Sequence, residues 1–204
     1  PAQEAPERGR RRASRRAEGQ EGIAPPVKPW RRVGSERLQR SPVFDLHKVR
    51  FEPPDASPPR DFWVVEAPEW INVVPLTADR RVVLVRQYRY GIEGFTLEIP
   101  GGMCDGEEPP AEAAARELRE ETGYEAREIV PLGWVHPNPA IQTNRCHSFL
   151  ALGARPAGEP APDPDEAFEV STVPLGEIPG LIRSGAITHS LVIAAFHLLD
   201  LRGA

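Results

Sequence analysis

Apolar residues are concentrated in three closely spaced runs near the middle of the chain, at 70 to 77, 81 to 89 and 95 to 99, rich in Val, Ile, Leu and aromatics. Runs of this length predict β-strands, and their close succession predicts neighbours in one sheet. The period then changes. Ala111, Ala114, Ala115, Leu118 and Thr122 recur at spacings of three and four, which predicts a helix with one stripe facing a core. Pro109 and Pro110 suit its first turn, where a missing N–H costs nothing, and Gly123 suits a left-handed cap. Further strands are predicted at 128 to 136, 145 to 152 and 168 to 173, followed by helical stretches at 175 to 184 and 189 to 201. This order predicts an α/β fold: an α/β/α sandwich on a mixed sheet.

Ahead of these runs, shorter β-type segments at 43 to 51 and 61 to 66 alternate with the breaks Pro53-Pro54 and Pro58-Pro59. They predict a small N-terminal antiparallel sheet. Residues 1 to 29, with Arg8, Arg10, Arg11, Arg12, Arg15 and Arg16 and almost no apolar content, predict a disordered basic tail. The expected division is thus a tail at 1–29, a β arm at 30–66 and one main domain at 67–204. A hydrophobic content of 40% suffices for one substantial core.

Charge changes the picture of possible partners. Residues 1 to 40 hold eleven Lys and Arg against five Asp and Glu, so with a net charge of −5 for the chain the remainder stands near −11. An acidic domain argues against nucleic acid as its main partner, and one that handles anions needs bound cations. The tail reads first as a solvated segment, with a weak nucleic-acid or membrane tether and a transit peptide as alternatives. Cys104 and Cys146 do not make a disulfide framework, so a reduced, cytoplasmic protein is expected. No run approaches the roughly 18 apolar residues of a membrane span.

The predicted helix carries the candidate chemistry. Glu117, Glu120 and Glu121 share adjoining faces within about one turn, and such like charges repel by roughly 0.2 to 0.5 kcal/mol per pair. Arg116 is expected to bridge Glu112 and Glu120, which offsets part of this. The remainder is a hard-oxygen cluster suited to Mg²⁺ or Mn²⁺. Gly101 and Gly102 let backbone carbonyls approach a cation closely, and Asp105-Gly106 supplies a turn before the helix. The plainer alternative is a solvated helix of mixed charge.

Gly102, Glu108, Arg116, Glu117, Glu120, Glu121 and Gly123 match the pattern G-x5-E-x7-R-E-U-x-E-E-x-G-U, with Leu118 at the first apolar position. The segment therefore resembles the Nudix box; Tyr124 departs from the aliphatic residue usual at its last position. Val85-Arg86-Gln87-Tyr88-Arg89-Tyr90, Leu97-Glu98-Ile99-Pro100-Gly101-Gly102 and Pro139, sixteen residues after Gly123, resemble the ADP-ribose pyrophosphatases and their nucleoside diphosphate sugar relatives. The resemblance implies the Nudix fold and Mg²⁺-dependent hydrolysis of a nucleoside diphosphate sugar to a nucleoside monophosphate and a sugar phosphate. It implies that Glu117, Glu121 and the Gly101 carbonyl hold the metal, with Glu120 completing the cluster or orienting a metal water.

Arg86 and Arg89, three apart on a strand, point to opposite faces; the resemblance picks Arg89 as the phosphate clamp, against the alternative of a surface ion pair. Glu98, on a strand otherwise apolar, is expected to contact substrate or metal water. Among Asp163, Asp165, Glu166 and Glu169, the resemblance picks Glu166 as general base, the alternative being an exposed acidic linker. Glu120, Glu166 and Arg116 are thus the candidate catalytic residues, and Arg89, Glu98 and Pro139 mark substrate binding. The resemblance also implies a homodimer joined through the β arm, whose Trp30, Phe44, Phe51, Phe62 or Trp63 stacks an adenine. His189 stands where many relatives have Asp, so the role of that Asp is not carried over. Two other readings remain: hydrolysis of dinucleoside polyphosphates, coenzyme A-type diphosphates or damaged nucleoside triphosphates, and a non-catalytic nucleotide- or RNA-binding protein.

Overall fold

The computed structural model of the chain describes residues 27–161 and 167–203. Most of the basic tail, together with Asp163, Asp165 and Glu166, lies outside the described residues. An antiparallel sheet of β1 (Arg31–Arg40), β2 (Asp45–Glu52) and β3 (Arg60–Glu66) comes first. All ten residues of β1 are exposed, so no alternation in the sequence announced it; pairing with β2 makes it a strand.

The main sheet is built from β4 (Trp70–Leu76), β5 (Arg81–Arg89), β6 (Gly94–Glu98), β8 (Glu128–Val135), β9 (Cys146–Leu152) and β11 (Glu169–Pro174). Its order is β11-β5-β4-β9-β8, with β6 also paired to β5, and β4–β9 is its parallel pair. Two short strands, β7 (Tyr124–Glu125) and β10 (Arg155–Pro156), pair apart from it. Helices are α1 (Pro110–Thr122), α2 (Ile178–Arg183) and α3 (Ser190–Leu201). The stretch expected to be helical from 175 opens as a 3₁₀ turn at Leu175–Glu177, and α2 follows with Pro179 in its first turn.

One departure from regularity positions everything that follows. β4 pairs with β5 through Leu76 and Val82, whereas β6 takes β5 over from Val85 to Arg89. The sheet is thereby split, and the segment after β6 crosses the split to run along β4: Val73 N–H donates to the Pro100 carbonyl and Ile71 N–H to that of Gly102, each at 2.9 Å.

Two apolar layers hold the sheet between helices. On one face Ile71, Val73, Phe149 and Ala151 pack against Ala113, Ala114 and Leu118 of α1. On the other, Val74, Leu76, Val82, Leu84 and Leu150 pack against Ile178 of α2 and Val192, Ala195, Phe196 and Leu199 of α3. The helix stripe is turned relative to expectation: Ala111 and Ala115 are exposed, and Ala113 and Glu121 are buried instead. In a run of small alanines the apolar period is ambiguous. A long-range bond to Glu121 settles it.

Candidate functional site

In an extended strand the N–H and C=O of one residue point to the same side. Pro100 and Gly102 turn their carbonyls to β4, so Gly101 turns both of its polar groups away, and its N–H meets Glu121 Oε2 at 3.3 Å. The Gly101 carbonyl therefore faces the side on which α1 presents its carboxylates. Both glycines are closely approached. A Cβ at Gly102 would stand 2.3 Å from Glu117 Oε1, and one at Gly101 would stand 2.4 Å from the Ile71 carbonyl oxygen and 2.5 Å from Asn72 Oδ1.

The carboxylates are gathered by one cation. Arg116 Nη1 donates to Glu117 and Glu120, each at 2.9 Å, while Nη2 and Nε reach Glu108 at 2.9 and 3.1 Å. Nη2 also reaches the Met103 carbonyl at 3.1 Å. The expected bridge to Glu120 is present, but Glu112 is not among its partners. Glu108, eight residues earlier, takes that place, because the turn through Gly106 (φ +55°) folds the loop back on the helix. Bonds from Arg116 hold the Glu108 carboxyl below the usual range, and the carboxylates raise the Arg116 guanidinium in turn. Among the described residues no three His, Cys, Asp or Glu side chains form a closed metal cluster. The donor set nonetheless fits a hard divalent cation: carboxylates held by one guanidinium and an outward-facing carbonyl on a segment closely packed against β4 and Glu117.

Across the split, Arg89 grips Glu98 through Nε at 2.8 Å and Nη2 at 2.7 Å, and Thr96 Oγ1 donates to Glu98 at 2.5 Å. Thr96 escaped the sequence reading, although its position two residues before Glu98 places it on the same strand face. Arg86 points elsewhere, to Glu169 at 2.8 Å and over the Phe95 ring. Burial pushes the Glu98 carboxyl up, yet bonds from Arg89 and Thr96 outweigh it and hold the group below the usual range. His189, at the start of α3, feels this pair; burial lowers its imidazole, Glu98 opposes that and Arg89 reinforces it.

Both groups make the fold acid-sensitive. The folded value of Glu98 lies below its unfolded one, so its contribution is complete above about pH 4.5 and is lost as the pH falls through the folded value. The folded value of His189 is also depressed, so stability falls as the pH drops through 6.5, where the unfolded chain binds a proton that the folded one does not. The melting temperature should therefore decline below about pH 6.5 and again, more steeply, below about pH 4.5. His189→Asn should shrink the upper decline in a melting series from pH 8 to 3; an upper decline of undiminished size would refute the assignment.

The remaining candidates are dispersed. Pro139 is exposed in the turn after β8, and this loop is tied to β3, with Val65 N–H donating to the Ile141 carbonyl at 2.7 Å. Cys104 and Cys146 are buried, and burial pushes their thiols up to about 11 and about 12, which keeps them protonated and unreactive. A cleft of about 640 Å³ separates the N-terminal sheet from the loop before α1, with Arg37, Arg40 and Phe44 on one wall and Glu69, Glu107 and Glu108 on the other. No helix among the described residues is long and apolar enough to cross a membrane.

Comparison with known proteins bears on these features together. The profile of the NUDIX domain matches residues 68–196. The chain is 28% identical to an ADP-ribose pyrophosphatase of Bacillus subtilis over 84% of its length and 93% of the relative's. It is 30% identical to an ADP-ribose pyrophosphatase of Mycobacterium tuberculosis over 79% of each chain. It is 35% identical to a CMP-5'-(N-acetyl-N-hydroxy-3-aminopropyl)phosphonate hydrolase of Streptomyces rubellomurinus over 69% of its length and 68% of the relative's. Among solved structures, an ADP compounds hydrolase superposes with a TM-score of 0.77 at 24% identity, covering 88% of this chain and 98% of the other, which establishes the likeness of fold.

Proposed function

Because the chain belongs to the Nudix family, we propose that it is a pyrophosphohydrolase cleaving the diphosphate bond of ADP-ribose or a related nucleoside diphosphate sugar. The observation that carries this reading is that the box helix turns carboxylates to the glycine segment: Glu121 accepts from the Gly101 N–H, and Glu117, held with Glu120 by Arg116, lies against Gly102. Glu117, Glu121 and the Gly101 carbonyl would hold Mg²⁺ or Mn²⁺, which when bound would supply a water of lowered pKa and neutralise charge on the diphosphate.

The chain's own groups do the rest. Glu120 orients the attacking water, and Arg116 keeps Glu117 and Glu120 apart and aimed. Arg89 exchanges part of its grip on Glu98 for a diphosphate oxygen, where a planar guanidinium matches two acceptors. Glu166, outside the described residues, serves as general base from the loop before β11.

A homodimer through the N-terminal sheet completes the reading. That sheet and its approach leave Trp30 and Phe62, in edge-to-face contact, partly exposed, and Trp63 is exposed on the opposite face, apolar area a monomer would leave in water. The cleft beside Phe44 opens between this sheet and the box loop, and a reducing, cytoplasmic setting suits the two free thiols.

The test is a panel of ADP-ribose, sugar nucleotides, dinucleoside polyphosphates and NADH assayed with Mg²⁺, with products identified. ADP-ribose should yield AMP and ribose 5-phosphate, and a protein that hydrolyses no diphosphate in the panel would overturn the reading. Gly102→Ala gives a second check. The atom its Cβ meets is the far end of the flexible Glu117 side chain, so the carboxylate moves and the fold survives. Turnover should fall by about 10- to 100-fold, the usual effect of disturbing a metal ligand's support, with melting nearly unchanged. Wild-type turnover in this variant would remove Glu117 from the metal site.

A further inference from the structure

Asn72 of β4 and Ser148 of β9 are register partners in the parallel pair, so their side chains leave the sheet on the same face. That face is the one on which Val74, Leu76 and Leu150 meet α3. Both residues are more than nine-tenths buried, with exposures of 8% and 1%. Asn72 Nδ2 and Ser148 Oγ nevertheless have no hydrogen-bond partner in the protein. A buried amide or hydroxyl left without a partner costs about 1–3 kcal/mol, so two such groups side by side in an apolar layer call for a shared ligand.

The chemistry of the pair limits that ligand. Asn72 Nδ2 only donates, Ser148 Oγ both donates and accepts, and the core cluster on this face is built from aliphatic residues and Phe196. A single neutral oxygen that accepts from the amide and exchanges a hydrogen bond with the hydroxyl satisfies both, whereas a phosphate or a metal ion would meet no opposite charge. With Ser148 almost wholly buried, the source is solvent rather than substrate.

Asn72 also touches the site. Its Oδ1 lies 2.5 Å from where a Gly101 Cβ would stand, so the amide packs on the Gly101 α-carbon, whose residue also donates its N–H to Glu121. We propose that Asn72 and Ser148 hold one ordered internal water, and that this water locks the Asn72 amide against Gly101 so that its carbonyl is aimed at the cation. The two are positioning residues, acting on the metal through Gly101. This inference rests on the cation site of the proposed function.

The test measures Mn²⁺ binding directly, by the loss of the free-ion electron paramagnetic resonance signal, in the full chain and in Asn72→Leu, Ser148→Ala and the double variant. Each single substitution should weaken Mn²⁺ binding by about tenfold, the usual cost of losing a group that orients a metal ligand. The double variant should weaken it no further, because both changes remove the same water. Losses that multiply in the double variant, or Mn²⁺ binding unchanged in all three, would overturn the proposal. A wild-type chain that bound no Mn²⁺ would refute the cation site itself and this inference with it. Should Asn72→Leu fail to fold, a high-resolution crystal structure of the wild-type chain decides. A water within hydrogen-bonding distance of Asn72 Nδ2 and Ser148 Oγ supports the inference, and a direct bond between the two side chains or a dry gap overturns it.

Discussion

Replacing Glu117 with Gln should lower kcat/KM for ADP-ribose by about a thousandfold while leaving the fold intact. Glu117 sits at the junction of the two elements that make the site, in contact with Arg116 and directly over Gly102. The amide retains shape and one acceptor oxygen but removes a full negative charge from the cation's neighbourhood. Loss of one charged ligand removes several kcal/mol of transition-state stabilisation, and about 4 kcal/mol corresponds to roughly a thousandfold in rate. Stability should change little or rise slightly, because one of the carboxylates crowded round Arg116 becomes neutral. Steady-state kinetics at saturating Mg²⁺, beside a melting curve, separate the two effects. Turnover within tenfold of wild type would exclude Glu117 as a metal ligand, and a collapsed melting curve would show a structural role instead.

The second large effect is expected at Arg116. Its guanidinium binds Glu108, Glu117, Glu120 and the Met103 carbonyl, and the side chain is 28% exposed. An exposed ion pair is worth about 0–1 kcal/mol, whereas breaking a buried one costs about 3–5. A partly buried hub with several partners falls between, so Arg116→Ala should destabilise the chain by about 2–3 kcal/mol. At this chain length that is about 5–10 °C in melting temperature. Three carboxylates would then face one another without a counter-charge. Mg²⁺ should therefore restore more of the melting temperature in this variant than it adds to the wild type. Arg116→Lys should recover little, since a point charge on a flexible stem cannot serve Glu108, Glu117 and Glu120 at once. A melting temperature for Arg116→Ala within 2 °C of wild type would show that the carboxylates do not depend on Arg116.

The two changes probe different parts of one arrangement. Under the proposed function Glu117 is expected to matter for chemistry and to be dispensable to the fold, whereas Arg116 is expected to matter for both. The distinction follows from charge: the cluster is held together by Arg116, and each carboxylate taken alone is a source of repulsion.

Much of this site was legible along the chain because its information is local. The spacing of Glu117, Glu120 and Glu121 brings them to adjoining faces of any helix, and Pro110 and Gly123 bound that helix wherever it is packed. The apolar runs that became β4, β5 and β6 were visible for the same reason, since burial of a central strand demands consecutive apolar residues. Glu98 announced itself as a charge on an apolar strand, but its pairing with Arg89, whose register partner is Gly94, did not follow from the hairpin and was decided by the fold.

Tertiary structure alone decided the partners that lie far apart in sequence. Glu108 in place of Glu112 as the mate of Arg116, the turned alanine stripe, and β1 as a strand without an apolar face all depend on which segments meet. So do the outward carbonyl of Gly101, created where β6 displaces β4 from β5, and the juxtaposition of Asn72, Ser148 and Gly101. Helical spacing fixes angles within one element. Register between strands is set by the packing of the whole sheet, and no local pattern encodes it.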